Sequence, residues 1–432
     1  MRCRIKQIFS FALVAVAFPC VVLAASNAQQ PPKEWLTFIE NLKQEMISRG
    51  ISEKTIKQAY GKETYYHPKP EVIKQDKKQA EFILTSRDYL NRLVNESRVK
   101  NAREHYKNLQ KKYASIEKEF GVPLSFLTSF WAVETNFGQN KGKYHLIDGL
   151  TNLSYKNRRA KFFKNELYHV LKIMDKFDLS NDKMLGSWAG AMGHFQFMPS
   201  TYNAYAIDYD GDEVIDIWDS FDDAIASAAN YLRDLGWKID EPWGERVTLP
   251  WNFDYTFTGY KNRKTVEEWS KLGVLDKNGK KLKLNPELKA SIIIPEGRKG
   301  QTYLILGNFR RIMIWNRSEN YALAVSLLAD YISGSQKYTP ISAHGQYALT
   351  NEDILKVQKF MNKNLHTHLK EDGKLGPKTK EAVKKLQAKA KMHEDGYPDY
   401  QLLKKIDNYN SKLGFNVPVQ PKKKKIRQSL KK

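Results

Sequence analysis

Residues 121–138 read Gly121-Val122-Pro123-Leu124-Ser125-Phe126-Leu127-Thr128-Ser129-Phe130-Trp131-Ala132-Val133-Glu134-Thr135-Asn136-Phe137-Gly138. Pro123 suits the first turn of a helix, where its missing N–H costs nothing. Gly138 is placed to end that helix in a left-handed conformation. Before Glu134 the only polar residues inside it are Ser125, Thr128 and Ser129. A helix without a charged face is expected to be largely buried. Glu134 then lies near its C-terminal end, where desolvation and the negative pole of the helix dipole both disfavour the charged carboxylate. A carboxyl group that keeps its proton near neutral pH is suited to general acid catalysis. The structural alternative is a Glu that leans out to water or pairs with an arginine.

Further along, residues 186–202 read Gly186-Ser187-Trp188-Ala189-Gly190-Ala191-Met192-Gly193-His194-Phe195-Gln196-Phe197-Met198-Pro199-Ser200-Thr201-Tyr202. Glycines set among aromatics suggest backbone lying close against something flat, such as a sugar ring. Together with Glu134-Thr135-x-Phe137-Gly138 upstream, this pattern resembles the lytic murein transglycosylases of the B type, within the lysozyme-like superfamily. The resemblance runs from Trp35 to Gly334. It implies a mainly α fold: a lysozyme-like helical catalytic domain over 25–334 with a small β insertion.

The chain has 432 residues, 41% of them hydrophobic, enough for two or three domains with real cores. It opens with basic Arg2, Arg4 and Lys6 and an apolar run from Ile8 to Leu23, which reads as a secretory signal peptide over 1–24. The run is short and broken by Pro19, so a membrane span is not expected. Pro19 also departs from the small residue that a lipid-attachment site at Cys20 prefers. Cys3 and Cys20 are the only cysteines, and both lie in this leader. A mature chain starting after Ala24 has no disulfide framework, no thiol nucleophile and no thiolate metal site. The formal charge of +23 favours polyanionic surfaces, the anionic cell envelope among them. No nucleic-acid motif, P-loop or dinucleotide fingerprint is present, so nucleic acid is not an expected partner. A solvating lysine surface explains the charge as well. The run Pro421-Lys422-Lys423-Lys424-Lys425 falls in a basic tail over 409–432.

Helical spacing predicts a first helix through Trp35, Phe38, Ile39, Leu42 and Met46, closed by Gly50, and a second capped by Ser52. Residues 78–118, with Phe82, Ile83, Leu90, Leu93 and Val94 spaced among charges, predict two long surface helices. Residues 161–177 predict an amphipathic helix with Phe162, Leu167, Val170, Leu171 and Met174 inward. Residues 240–312 are punctuated by proline and glycine, and β-rich runs at 291–294 and 302–306 predict a small sheet. A linker over 335–346 leads to a second unit at 347–408. Its Asp372-Gly373-Lys374-Leu375-Gly376-Pro377-Lys378-Thr379 signature resembles the three-helix peptidoglycan-binding module.

In Asp208-Tyr209-Asp210-Gly211-Asp212-Glu213-Val214, carboxylates at alternate positions could converge on a hard cation, as in the first half of an EF-hand loop, with the Val214 carbonyl as a further ligand. Gly211 comes two positions early and the usual closing Glu is replaced by Asp219. The family carries an EF-hand-like site of unusual length here, and alignment on Asp223-Ala224-Ile225 makes Asp223 the closing carboxylate. The resemblance thus allows a structural calcium ion, with no cofactor required for the chemistry. An acidic turn, with Asp223 reaching back to Ser220 in a capping box, is the competing reading.

Glycoside hydrolases use two carboxylates, and no second acid here sits in an apolar motif like that of Glu134. The resemblance implies one acid. Glu134 would protonate the bridge oxygen between N-acetylmuramic acid and N-acetylglucosamine, then draw a proton from the muramyl 6-hydroxyl as it attacks C1, leaving a 1,6-anhydro end. By the same resemblance Ser187, Gln196 and Asn316 would hold the sugar and its N-acetyl group, and Tyr231 and Tyr321 would pack against rings. Arg158 and Arg159 would face glycan-linked carboxylates, which guanidinium forks suit; the proline that often precedes that pair is missing. Asn316 also suits a helix cap. Peptidoglycan is the expected partner and a monomer the expected state. A muramidase-type hydrolase and a non-catalytic wall-binding protein are the alternatives.

Overall fold

The computed structural model describes residues 31–61, 69, 72, 84–341 and 349–412. The expected leader with Cys3 and Cys20, the positions Phe82 and Ile83, and the tail beyond 412 lie outside the described residues. Helices α1 (Lys33–Ser48) and α2 (Glu53–Tyr60) come first, and the Ser52 hydroxyl caps α2 by accepting from the Thr55 N–H. Next are α3 (Ser86–Leu93) and α4 (Glu96–Phe120). Only the second of these is long. Its 25 residues bend at Tyr113, whose backbone leaves helical geometry.

The stretch around Glu134 forms α5 (Leu124–Thr135), with ten of its twelve residues buried. Pro123 offers no side-chain cap, and the Glu117 carboxylate of α4 accepts from the Leu124 N–H instead at 2.8 Å. The helix ends earlier than expected. Asn136, not Gly138, follows the last turn in a left-handed conformation, which Asn tolerates better than most residues, and Phe137 and Gly138 continue with positive φ. A β-carbon on Gly138 would lie 2.6 Å from the His194 ring, so glycine is required there for contact as well as for backbone angle.

Strand β1 (Tyr144–His145) pairs antiparallel with β2 (Leu185–Gly186), and between them run α6 (Leu146–Ser154) and α7 (Ala160–Phe177). The register of α7 differs from the expectation by one aromatic: Phe163 is buried and Phe162 is 38% exposed. Phe163 stands four, seven, eight and eleven residues before Leu167, Val170, Leu171 and Met174 and so shares their stripe, whereas Phe162 falls at its edge. The glycines of 186–193 have a packing reason of their own. β-carbons on Gly186, Gly190 and Gly193 would strike the Ala191 carbonyl, the Leu150 side chain and the Ile217 carbonyl. These residues permit close packing of the protein against itself.

After α8 (Pro199–Tyr205) and the acidic loop comes α9 (Phe221–Asp234), capped by Ser220. The β insertion then supplies β3 (Gly244–Thr248), β4 (Lys264–Thr265), α10 (Val266–Lys271), β5 (Leu275–Asp276), β6 (Lys289–Ile293) and β7 (Thr302–Ile305). Its five strands run in the order β4-β6-β7-β3-β5, all neighbours antiparallel. The sheet has its own core around Val266, Trp269, Ile292 and Leu304. The opposite faces of β6 and β7, through Ile293, Tyr303 and Ile305, join the main helical core, as the two-residue period of a strand requires. Helices α11 (Gly307–Trp315) and α12 (Glu319–Ser333) return the chain to that core. Small residues let α12 lie close to α5: the buried Ser129 hydroxyl donates to the Val325 carbonyl at 2.7 Å.

The C-terminal unit comprises α13 (Asn351–Leu365), α14 (Pro377–Lys389) and α15 (Tyr400–Lys412) around Val357, Met361, Val383, Leu386 and Ile406. Its Asp-Gly motifs have a structural cause. Buried Gln358 accepts from the N–H groups of Asp372 and Gly373 and donates to the Asp372 carboxylate. Buried Gln387 likewise accepts from the Gly396 N–H and donates to the Asp395 carboxylate. The unit also docks on the β insertion. The Lys384 ammonium, 8% exposed, donates to the carbonyls of Tyr255 and Thr258 and to the Thr258 hydroxyl at 2.9–3.0 Å. Lys380 pairs with Glu319 at 3.1 Å, and Asp395 accepts from the Arg298 N–H.

Candidate active site

Glu134 lies in the last turn of α5 and is half-buried. Its Oε1 accepts from the Trp315 indole N–H at 3.0 Å and from the Tyr321 hydroxyl at 2.5 Å. Trp315 ends α11 and Tyr321 sits in the first turn of α12, so the short link between those helices brings two donors to one carboxylate oxygen. Asn316 occupies that link. Its side-chain carbonyl accepts from the Ser318 N–H, while the Ser318 hydroxyl caps α12 through the Tyr321 N–H. Tyr321, expected to pack against a sugar ring, is 3% exposed, and its hydroxyl is spent on Glu134.

Aromatic rings surround this pair of donors. Trp315 packs on Phe130 at 4.5 Å, Tyr231 at 5.1 Å and Phe197 at 5.4 Å between ring centres. Tyr231 stacks in turn on Tyr205, and burial raises its phenol above the ordinary range. Trp315 carries no signal in the sequence that separates it from the other tryptophans, and its part in the site emerges only in three dimensions.

Ser187 and Gln196 lie on the segment that follows β2. The Ser187 hydroxyl accepts from the Ala191 N–H and closes a tight turn. Gln196 has a φ of +50°, and its amide nitrogen donates to the carbonyls of Lys141 and Gly193. A non-glycine residue held in that region marks a position that the surroundings over-determine. The segment is tied to α5 through His194, whose Nδ1 accepts from the Trp131 indole at 3.0 Å and whose carbonyl accepts from the Thr135 hydroxyl at 2.8 Å. Burial pushes the His194 imidazole down to about 4, so it is neutral at neutral pH and available as that acceptor. Arg158 is exposed, and the Arg159 guanidinium lies over the Phe162 ring at 4.4 Å.

In the acidic loop, Asp208, Asp210 and Asp212 bring carboxylate oxygens within 4.8 Å of one another. Asp223 does not join them. It is fully buried beneath the loop, where its oxygens accept from the N–H groups of Tyr209 and Asp216. Burial raises its carboxyl, and these donors oppose the rise. The Ser220 hydroxyl accepts from the Asp223 N–H at 3.3 Å, which is one half of the capping box. The N–H of Val214 is taken by Asp212, and the Val214 side chain is exposed. An all-oxygen set of three close carboxylates fits a hard divalent cation.

Residues 34–330 match the transglycosylase SLT domain family, and residues 350–406 match a putative peptidoglycan-binding domain. The chain belongs to the transglycosylase SLT family. It is 34% identical over 221 residues to the membrane-bound lytic murein transglycosylase B of Escherichia coli K12, an alignment spanning 50% of this chain and 58% of that relative. Among solved structures, SltB3 of Pseudomonas aeruginosa in complex with NAG-anhNAM-pentapeptide superposes with a TM-score of 0.81 at 33% identity, covering 87% of this chain and all of that one. The Escherichia coli lytic transglycosylase Slt35 in complex with calcium superposes with a TM-score of 0.60 at 25% identity, covering 72% of this chain and 98% of that one. The 34–330 unit is therefore a lytic transglycosylase domain, lysozyme-like and mainly helical, and the C-terminal unit is a peptidoglycan-binding module.

Proposed function

We propose that the protein cleaves the bond between N-acetylmuramic acid and N-acetylglucosamine in peptidoglycan without water, leaving a 1,6-anhydromuramyl end, with Glu134 as the single acid and base. The observation that carries this is one carboxylate, at the end of an otherwise apolar helix, held on one oxygen by two fixed donors. The carboxyl proton of Glu134 is the one transferred. That proton passes to the bridge oxygen as its bond to C1 breaks. The carboxylate then takes the proton of the muramyl 6-hydroxyl while O6 bonds to C1. The acid is restored and no water is consumed. In the acidic loop, Asp208 and Asp212 are engaged by N–H groups of their own loop and Asp210 by the Ser220 hydroxyl, which leaves them poorly suited to activate water. Ser187, Gln196 and Asn316 bind the sugar and its N-acetyl group, Tyr231 supplies a ring surface, and Arg158 and Arg159 meet glycan-linked carboxylates.

Asp208, Asp210 and Asp212 would hold a calcium ion that fixes the loop, with no part in the chemistry. The kinship with a membrane-bound murein enzyme supports export to the cell envelope after removal of residues 1–24, with action there as a monomer. No helix among the described residues is long and apolar enough to cross a membrane. Digestion of purified murein in ¹⁸O-labelled water tests the reaction class. Products free of label are expected, whereas label at C1 of the new muramyl ends means hydrolysis.

A further inference from the structure

A cleft of about 410 Å³ lies where the C-terminal module meets the β insertion. Arg298, from the loop between β6 and β7, forms one wall, and Lys391, Met392 and His393, from the end of α14, form the other. Asp395, which is buried, and Asp399, which is half-buried, also border it. Asp395 accepts from the Gln387 amide, the Tyr397 N–H and the Arg298 N–H, and Asp399 accepts from the Leu402 N–H. The Arg298 guanidinium and the Lys391 ammonium are exposed, and neither has an ion-pair partner among the described residues. The cleft therefore presents two cations without ion-pair partners among the described residues, beside two carboxylates that accept hydrogen bonds from the frame.

Lys391 is a second, independent sign. It has a φ of +54°. Its N–H donates to the Ala388 carbonyl and the Met392 N–H to the Gln387 carbonyl, the pair of bonds of a Schellman turn. Glycine is the residue such a turn favours, and a lysine there is held against its own backbone preference. The turn aims a long cationic side chain at the cleft. Buried Lys384, with three acceptors on the catalytic domain, fixes the two walls relative to one another, so the site is preorganised.

We propose that this junction cleft binds the carboxylates of a peptidoglycan stem peptide, forming a peptide subsite that needs both domains. The proposal rests on peptidoglycan being the substrate. A stem peptide carries free carboxylates for Arg298 and Lys391, and an apolar side chain for Met392.

The test is fluorescence anisotropy of a labelled, sugar-free stem pentapeptide with the full chain. Saturable binding is expected, weakened about fivefold or more in an Arg298→Ala/Lys391→Gly variant through loss of two exposed charge contacts. Lys391→Gly alone should weaken binding while melting no lower than the parent, because glycine suits the turn. Lys389→Ala, on the same helix outside the cleft, should bind as the parent does. A peptide with all carboxylates amidated should bind poorly. The proposal is overturned by absence of binding to the parent, by equal binding to the double variant or the amidated peptide, or by displacement with equimolar inorganic phosphate. Product analysis on whole murein is run in parallel. Anhydro products without peptide binding sink the cleft and leave the activity standing, and peptide binding without anhydro products does the reverse.

Discussion

Glu134 Oε1 receives an indole N–H and a phenol O–H, and each donor sets where the carboxylate points. Hydrogen bonds to a charged group contribute about 1.5–3 kcal/mol, so Trp315→Phe or Tyr321→Phe should slow release of soluble muropeptides by roughly 10–100-fold. The two effects should combine less than additively, since both donors act on one atom. A double variant whose loss equals the product of the single losses would show that the donors act separately. Thermal melting separates this from simple unfolding. At this scale the sequence is unequally legible. Glu134 stands out because it is the only charged residue in an apolar helix. Trp315 does not, because an indole beside Asn316 has the same composition as any core tryptophan, and there are nine. Tyr321 is singled out by the family resemblance, yet its hydroxyl's target depends on how α12 docks against α5.

His194 joins two elements, α5 and the Gly-rich segment, as a neutral acceptor for Trp131. Its folded pKa of about 4 lies below the ordinary value of 6.5. The unfolded chain then binds more protons across that window, so this contribution to stability is present above about pH 6.5 and is lost as pH falls towards about 4. Partial exposure reduces it to on the order of 2 kcal/mol. His194→Asn, which retains an acceptor, should flatten the fall in melting temperature between pH 6.5 and 4.5; an unchanged slope would assign that fall to other groups. The acidic loop makes a separate prediction. Millimolar calcium should raise the melting temperature, by up to about 2.7 kcal/mol of stability at a hundredfold excess over the dissociation constant. An Asp208→Asn/Asp212→Asn variant should lose the response. No calcium shift in the parent would leave an acidic turn, held by Asp223 from below. Element positions were largely legible from period and caps, as at Ser52 and Ser220. The choice between Phe162 and Phe163 was not, because adjacent aromatics fit either register until the partner surface is known. The role of Asp223 was hidden similarly: spacing along the chain shows a carboxylate near the loop, and only burial shows that backbone N–H groups consume it.

Across the whole molecule, a buried ammonium joins two folded units. Burial pushes the Lys384 amine below its ordinary range, and its three acceptors on the β insertion offset the cost of burying the charge. Lys384→Met should leave those acceptors unmet, at about 1–3 kcal/mol each where water cannot reach them. The expected result is release of the module: faster proteolysis between the domains and a separate melting transition, with the catalytic domain still folded. A single unchanged transition would mean that Lys380, Glu319 and Asp395 suffice. No reading of α14 alone foretells this joint, because a lysine among lysines reads as solvated surface. The measurement closest to the central claim is mass spectrometry of soluble fragments from purified murein, digested by the protein and by Glu134→Gln. Muropeptides one water lighter than hydrolysis products, absent from the variant, are the predicted result. Full-mass reducing fragments, or equal release by the variant, would contradict it.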